Sequence, residues 1–185
     1  SIGKMADEME VSGWYAPAMN THRSAFAGRN FEYYSEDPVL SGKMAANAVS
    51  GAWQYGVYGY IKHFATNDQE TNRNAQLCTW TNEQALRKIY LKPFEIAVKE
   101  GGATAVMSAF NYIGTTYAAC THALQQTVLR DEWGFRGMVL TDWYADYGYQ
   151  NADQLIRKQR SSRAGLHSGE ELSDRGDQDG RWRHG

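Results

Sequence analysis

Apolar and polar positions follow two rhythms along the chain. Four short stretches are nearly continuously apolar: "GWYAPAM" from Gly13, "VYGYIKHFA" from Val57, "TAVMSAFN" from Thr104 and "GMVLTDW" from Gly137. Three of them are rich in β-branched or aromatic residues, which predicts buried strands. Helical spacing fills the gaps between them. Asp37-Pro38 reads as an N-cap followed by proline at the first helical position, with Leu40, Met44, Ala48 and Ala52 recurring every fourth residue up to Gly56. Thr81 and Gln84 read as a capping box opening a second helix through Leu86, Ile89 and Tyr90, with Pro93 kinking or restarting it and Gly101-Gly102 ending it. A third helix is expected from Thr121 through Leu124, Val128 and Leu129, stopping near Gly134. The order β-α-β-α-β-α-β predicts an α/β fold around a parallel sheet.

The polar residues that end each strand sharpen this picture. Asn20 and Arg23 follow the first strand, Lys62-His63 ends the second, Asn111 the third and Asp142 the fourth. In a (β/α)8 barrel such carboxyl ends share one face, where ligand chemistry sits. An open doubly wound sheet gathers them as well, but its glycine-rich phosphate loop, G-x-G-x-x-G, is absent. The expectation is therefore a partial TIM-type barrel, truncated at both ends.

Composition sets limits on function. With 185 residues, a net charge of −2 and 42% hydrophobic residues, the chain reads as one soluble globular domain or part of a larger one. The balanced charge argues against nucleic acid and membrane surfaces as partners, and no apolar run reaches the ~20 residues of a membrane span. Two cysteines and five histidines without ligand spacing imply neither a disulfide framework nor a metal site, and no cofactor is expected. Aromatics at 13% suit sugar rings, but they also simply fill cores.

Two loops carry dense polar chemistry. "YIKHFATNDQETNR", from Tyr60 to Arg73, brings Lys62, His63, Asp68, Glu70 and Arg73 out of one strand. Convergent donors and acceptors of this kind could hold a polyhydroxylated ligand. An ordinary surface loop with a Glu70–Arg73 ion pair is the competing reading. "GRNFEYYSEDP", from Gly28 to Pro38, adds Arg29, Glu32 and Glu36, with Asp37 read as a helix cap. Asp142 taken alone could cap the next turn as well as do chemistry.

The stretches "GRNFEYYSEDP", "KHFATNDQETNR", "LRKIYLKPFEIAVKEGGATAVMSAFN" and "VLRDEWGFRGMVLTDW" together resemble the β-glucosidases of glycoside hydrolase family 3. The resemblance runs from about Lys4 to about Lys158, in the family's order. It implies an N-terminal (β/α)8 barrel or a variant of it, usually followed by an α/β sandwich domain. It implies retaining hydrolysis of terminal β-glucosyl residues, with xylosyl or arabinosyl next in line. Asp142 would be the nucleophile, Trp143 an apolar wall for the sugar ring, and Lys62, His63, Arg29 and Arg73 the groups on its hydroxyls. Phe110 stands where many relatives have a tyrosine that approaches the nucleophile. The hexosaminidase-like loop K-H-F-P-G-H-G-D is replaced by "KHFATNDQ", which favours the glucosidase branch.

In that branch the acid/base glutamate comes from the second domain. Residues 1–158 are accordingly expected to be a partial barrel domain that is inactive or weakly active alone. Its partners would be a glucoside or oligosaccharide, and either a missing C-terminal domain or a second copy. A non-catalytic sugar-binding piece of the same fold is the alternative. Residues 159–185, "QRSSRAGLHSGEELSDRGDQDGRWRHG", break every periodicity and read as a disordered or frameshift-like tail. The chain starts at Ser1, so the localisation, cytoplasmic or secreted, stays open.

Overall fold

The computed structural model describes residues 2–73 and 77–143. The expected tail and the end of the expected barrel domain lie outside the described residues. A first helix, α1 (Ile2–Glu8), precedes strand β1 (Gly13–Trp14), helix α2 (Pro38–Trp53) and strand β2 (Tyr58–Phe64). Strand β3 (Cys78–Thr79), helices α3 (Glu83–Ala85) and α4 (Lys92–Lys99), and strand β4 (Ala105–Ser108) follow. The hairpin of β5 (Tyr112–Ile113) and β6 (Thr116–Tyr117), a wide-wound helix over Ala123–Glu132 and strand β7 (Met138–Leu140) complete the order.

β1, β2, β4 and β7 form one parallel sheet in that order, with Tyr60 opposite Ala105 and Ala105 opposite Met138. The expected α/β fold with a parallel sheet is therefore present. The barrel part of the expected truncated barrel is not shown: among the described residues the sheet is open, with β1 and β7 at its edges. A second small sheet, β3-β5-β6, carries two-residue strands too short to leave a periodic signal.

The two faces of the large sheet bury different residues, because successive side chains of a strand alternate. Ile61 and Val106 turn to the helices, joining Val49, Phe94, Ala97 and Leu129 in the main core. Tyr60, Ala105 and Met107 form a separate cluster flanked by Tyr58 and Leu140. Lys62 shares the parity of this second set; past it the register shifts, and Phe64 joins the main core.

Four local expectations are corrected. The first strand is shorter than the stretch from Gly13 to Met19: Pro17 has no N–H to donate, and pairing resumes only as a bridge between Ala18 and Lys62. In α2, Asp37 does cap, accepting from Val39 and Leu40 N–H at 2.7 and 3.0 Å. The buried face, however, is Ser41, Gly42, Ala45, Ala46, Val49 and Ala52, while Leu40 and Met44 are 52% and 49% exposed. A strict fourfold repeat drifts around a helix with ~3.6 residues per turn, so it cannot mark one face. Small residues mark it instead, because α2 lies close against α4: a Cβ on Gly42 would stand 2.7 Å from Ile96 Cδ1.

The second helix is capped by Asn82, whose side chain accepts from Ala85 N–H at 2.8 Å, rather than by Thr81. Asparagine is the stronger cap of the two. Ahead of Pro93 the ladder widens over Leu86–Tyr90, with Leu91 N–H reaching back to Leu86 O at 2.9 Å. Pro93 restarts the helix as α4 from within its first turn. The third helix begins at Ala123 and is wound wide throughout, and Gly134 with φ +73° ends it. No helix of the described residues is long and apolar enough to cross a membrane.

Candidate functional site

Three segments that follow strand ends meet at Asp142. The end of β2 supplies His63 and the loop after it Asn67, Glu70 and Arg73, the loop after β1 supplies Arg29, Glu32 and Tyr33, and Asp142 stands two residues beyond β7. Asp142 is 8% exposed. Its Oδ1 accepts from Trp143 N–H at 2.7 Å, while Oδ2 has no hydrogen-bond partner and lies 3.5 Å from Arg73 Nη1 and 3.9 Å from His63 Nε2. So Asp142 does accept a local N–H, as a cap would, yet keeps its second oxygen turned to the charged loop.

His63 is fixed from three sides. Its backbone exchanges two hydrogen bonds with the Asn20 side chain, at 2.8 and 3.0 Å, and its Nδ1 lies 3.2 Å from Tyr33 Oη. Asn67 Nδ2 donates to Tyr33 Oη at 3.1 Å, and Tyr33 Oη donates to Asn67 O at 3.2 Å. Burial, followed by the charges of Arg29, Lys62 and Arg73, pushes the imidazole down to about 2. It is therefore neutral at physiological pH, and its approach to Asp142 is a contact between a neutral ring and a carboxylate.

The charged residues form an alternating chain. Glu32 pairs with Arg29 and stands 3.5 Å from Lys62 Nζ. Glu70 stands 3.5 Å from Arg29 Nη1 and forms an ion pair with Arg73, 2.8 Å from its Nε. The Arg73 guanidinium lies over the Phe110 ring, 4.7 Å from its centroid, a cation–π arrangement. Burial pushes the Asp142 carboxyl above its ordinary range; the Trp143 N–H and then Arg73, Arg29 and Lys62 only partly offset it. A carboxylate so poorly solvated is a better nucleophile or base than one in water.

Several buried polar atoms on these loops have no hydrogen-bond partner: Asn67 Oδ1, Arg73 Nη1, Ser108 Oγ, Asn111 Oδ1, Tyr117 Oη and Asp142 Oδ2. Such atoms cost free energy when left dry, and with Arg73 Nη1 and the Tyr117 hydroxyl close to Asp142 they suit a ligand rich in hydroxyl groups. An apolar hollow of about 110 Å³ lies elsewhere, lined by Leu86, Leu91, Ile113, Leu124 and Val128. At its rim Arg87 is tied to Glu83 and Glu132, so it offers no comparable chemistry. Among the described residues no group of three or more His, Cys, Asp or Glu is arranged to hold a metal.

The structure thus brings six of the seven expected residues into one network: Asp142, His63, Arg73, Phe110, Arg29 and Lys62. Trp143 is different. The residue is 58% exposed, its ring meets Tyr15 edge-on at 6.2 Å, and its backbone N–H donates to Asp142. Tyr33, Asn67 and Tyr117 were not legible as site residues. Tyr33 acts across a separation of 30 residues, and Tyr117 enters from a hairpin too short to read.

The loop also holds a buried acid outside this network. Burial pushes the Asp68 carboxyl up to about 7, partly offset by Arg23 and by the nearby Thr21. A raised carboxyl pKa means that the folded state binds the proton more tightly than the unfolded one. Its contribution is present at low pH and is lost as pH rises from about 3.8 to about 7. Asp68→Asn should flatten the fall in thermal midpoint over that window; an unchanged slope would show that Asp68 is already well solvated.

Comparison with known proteins follows the same lines. Residues 1–173 match the family model described as the glycosyl hydrolase family 3 N terminal domain. Beta-glucosidase A of Butyrivibrio fibrisolvens is 45% identical over 142 residues, covering 77% of this chain and 17% of that protein. A beta-glucosidase of Ruminococcus albus is 48% identical over 130 residues, covering 70% of this chain and 14% of that protein. Among solved structures, beta-glucosidase 3B from Thermotoga neapolitana in complex with glucose superposes with a TM-score of 0.75 at 41% identity, over 90% of this chain and 26% of that one. A beta-glucosidase from Paenibacillus barengoltzii gives 0.80 at 40% identity, over 85% and 18%. The chain therefore spans less than a third of the length of each of these four proteins.

Proposed function

The chain belongs to glycosyl hydrolase family 3, and on that premise we propose that it carries the nucleophile side of a retaining β-glucosidase. The observation that carries this reading is Asp142: a buried carboxylate just past a strand end, one oxygen oriented by a backbone N–H and the other unpaired beside Arg73. The open four-stranded sheet is then an arc of a (β/α)8 barrel, and Asp142 stands at its mouth.

In the first step Asp142 Oδ2 attacks the anomeric carbon of a terminal β-glucosyl residue. The bond to the leaving oxygen breaks, that oxygen takes a proton from an acid, and a glycosyl ester of Asp142 results. Water then cleaves the ester. Retention needs the second carboxyl group at ~5–5.5 Å, and the resemblance assigns that acid/base to a following domain. This chain's own residues bind and orient. Arg73 Nη1, Asn111 and Asn67 offer unpaired polar atoms to sugar hydroxyls, Arg29 and Lys62 extend the charged wall, and neutral His63 donates or accepts without adding charge. The exposed Trp143 face is suited to stack on the sugar or its aglycone. Glucose is the sugar favoured, ahead of xylose and arabinose.

A reactive aglycone separates this reading from passive sugar binding. Dinitrophenolate leaves without acid help, so 2,4-dinitrophenyl β-D-glucoside should give a burst stoichiometric with the chain. An equal burst from the matching N-acetylglucosaminide would contradict the glucosidase assignment. Sugar binding with no burst, unaffected by Asp142→Ala, would favour the non-catalytic alternative.

A further inference from the structure

Glu70 joins both loops of the site and touches neither β7 nor the free oxygen of Asp142. Its Oε2 lies 2.8 Å from Arg73 Nε in an ion pair; its Oε1 accepts from Asn67 Nδ2 at 3.3 Å and stands 3.5 Å from Arg29 Nη1. The backbone fixes it as firmly. Glu70 N–H donates to Ala27 O at 3.0 Å, and Arg73 N–H donates to Glu70 O at 3.2 Å. Gly28, at φ +95°, lies directly against it: a Cβ there would be 3.0 Å from Glu70 Cβ. The Glu70 carboxylate therefore has little freedom, and the guanidinium it holds has little more.

Arg73 is divided unequally between two anions. Its Nε is in close ion-pair contact with Glu70, at 2.8 Å, while its Nη1 stays 3.5 Å from Asp142 Oδ2, outside a charge-assisted bond of ~2.7–2.9 Å. The other nearby carboxylate, Glu32, is taken by Arg29 and Lys62. The groups facing Asp142 are Arg73, Arg29, Lys62, neutral His63, the Trp143 N–H and the Tyr117 hydroxyl. Among the described residues, Arg73 would without Glu70 have one strong anionic partner left, Asp142. A guanidinium clasping a carboxylate with two parallel bonds covers both oxygens and stabilises the charge that must attack.

We propose that Glu70 is a positioning residue that holds Arg73 back from Asp142, so that the carboxylate keeps an oxygen available for attack. This rests on Asp142 being the nucleophile. Glu70 touches no reacting atom; it acts through Arg73.

Two readouts on the full chain test it. The first is the titration of Asp142, followed by carboxyl carbon NMR on aspartate-labelled protein and identified by the signal absent from Asp142→Asn. Glu70→Gln should move its midpoint to lower pH. Glu70→Asp, which keeps the anion and is the milder change, should leave it near the wild-type value. In an Arg73→Gln background the Glu70→Gln effect should largely vanish. The second readout is the rate of covalent trapping by 2,4-dinitrophenyl 2-deoxy-2-fluoro-β-glucoside. Glu70→Gln should lower the limiting first-order constant about tenfold, with a smaller change in the half-saturating concentration, as expected for a group acting on the attacking step. A variant that only loses thermal stability, with the Asp142 midpoint in place, would overturn the proposal. So would an equal midpoint shift with and without Arg73. If the wild-type chain traps no sugar, the nucleophile reading fails, while the titration still decides whether Glu70 governs Arg73.

Discussion

Asp142→Asn should cost at least about four orders of magnitude in covalent turnover of an activated glucoside, the scale on which an enzyme loses its nucleophile. The same variant should leave thermal stability unchanged or slightly raised. The two halves follow from one fact. Asp142 is buried with a carboxyl pushed above its ordinary range, so the folded protein gains nothing from its charge. An amide of the same shape keeps the Oδ1 acceptor for Trp143 N–H and removes the charge that burial penalises. What it loses is the ability to attack the anomeric carbon. Turnover measured on 2,4-dinitrophenyl β-D-glucoside, with the melting curve of the same sample, checks both. Wild-type turnover in the variant would remove Asp142 from the chemistry.

Phe64→Ala should destabilise the fold by about 3–5 kcal/mol, the range for deleting a buried aromatic ring. Phe64 has no exposed surface, meets Phe94 edge-on at 5.2 Å and lies 5.9 Å from Trp133. It thus ties β2 to α4 and to the end of the third helix. Since domains keep only about 5–15 kcal/mol in total, this one change would consume a large share. Phe64 also directly follows His63, and Ala109 N–H donates to its carbonyl at 2.8 Å, so the cavity opens under the site. Urea unfolding should show a lower midpoint at an unchanged slope. A loss under about 1 kcal/mol would mean that neighbouring rings refill the space.

What the sequence revealed, it revealed through short-range rules. Asp37 before Pro38 announces its cap because the accepting oxygen and the donating amides lie within three residues. Lys62, His63 and Asp142 announce themselves because an apolar strand runs straight into a charge. The parallel sheet follows from strands separated by helices, which cannot pair antiparallel through a tight turn. What stayed hidden depends on distance in sequence. Tyr33 and Asn67 become site residues only when the two loops fold together. Glu70 and Arg73 do form the ion pair expected of an ordinary surface loop, but it lies against the candidate nucleophile rather than in open solvent. The buried face of α2 differs from the one its fourfold repeat marks, because that repeat drifts around the helix. Close packing on α4 selects small residues there and leaves Leu40 and Met44 half out. The truncation expected at both ends agrees with an open sheet, but membership of a barrel was not legible, since four strands and their helices read alike in an open sheet and in part of a barrel.

The central claim is that Asp142 attacks a glucosyl carbon. It is tested most directly by intact-mass spectrometry after incubation with 2,4-dinitrophenyl 2-deoxy-2-fluoro-β-glucoside, followed by peptide mapping. The fluorine slows breakdown of the glycosyl ester, and the leaving group dispenses with the acid. The expected result is a mass increase of a single fluoroglucosyl group, carried on the peptide "GMVLTDW" at Asp142 and absent from Asp142→Asn. A chain shown to be folded by circular dichroism that gains no mass, or that carries the sugar on Glu32, Asp68 or Glu70 instead, would contradict it.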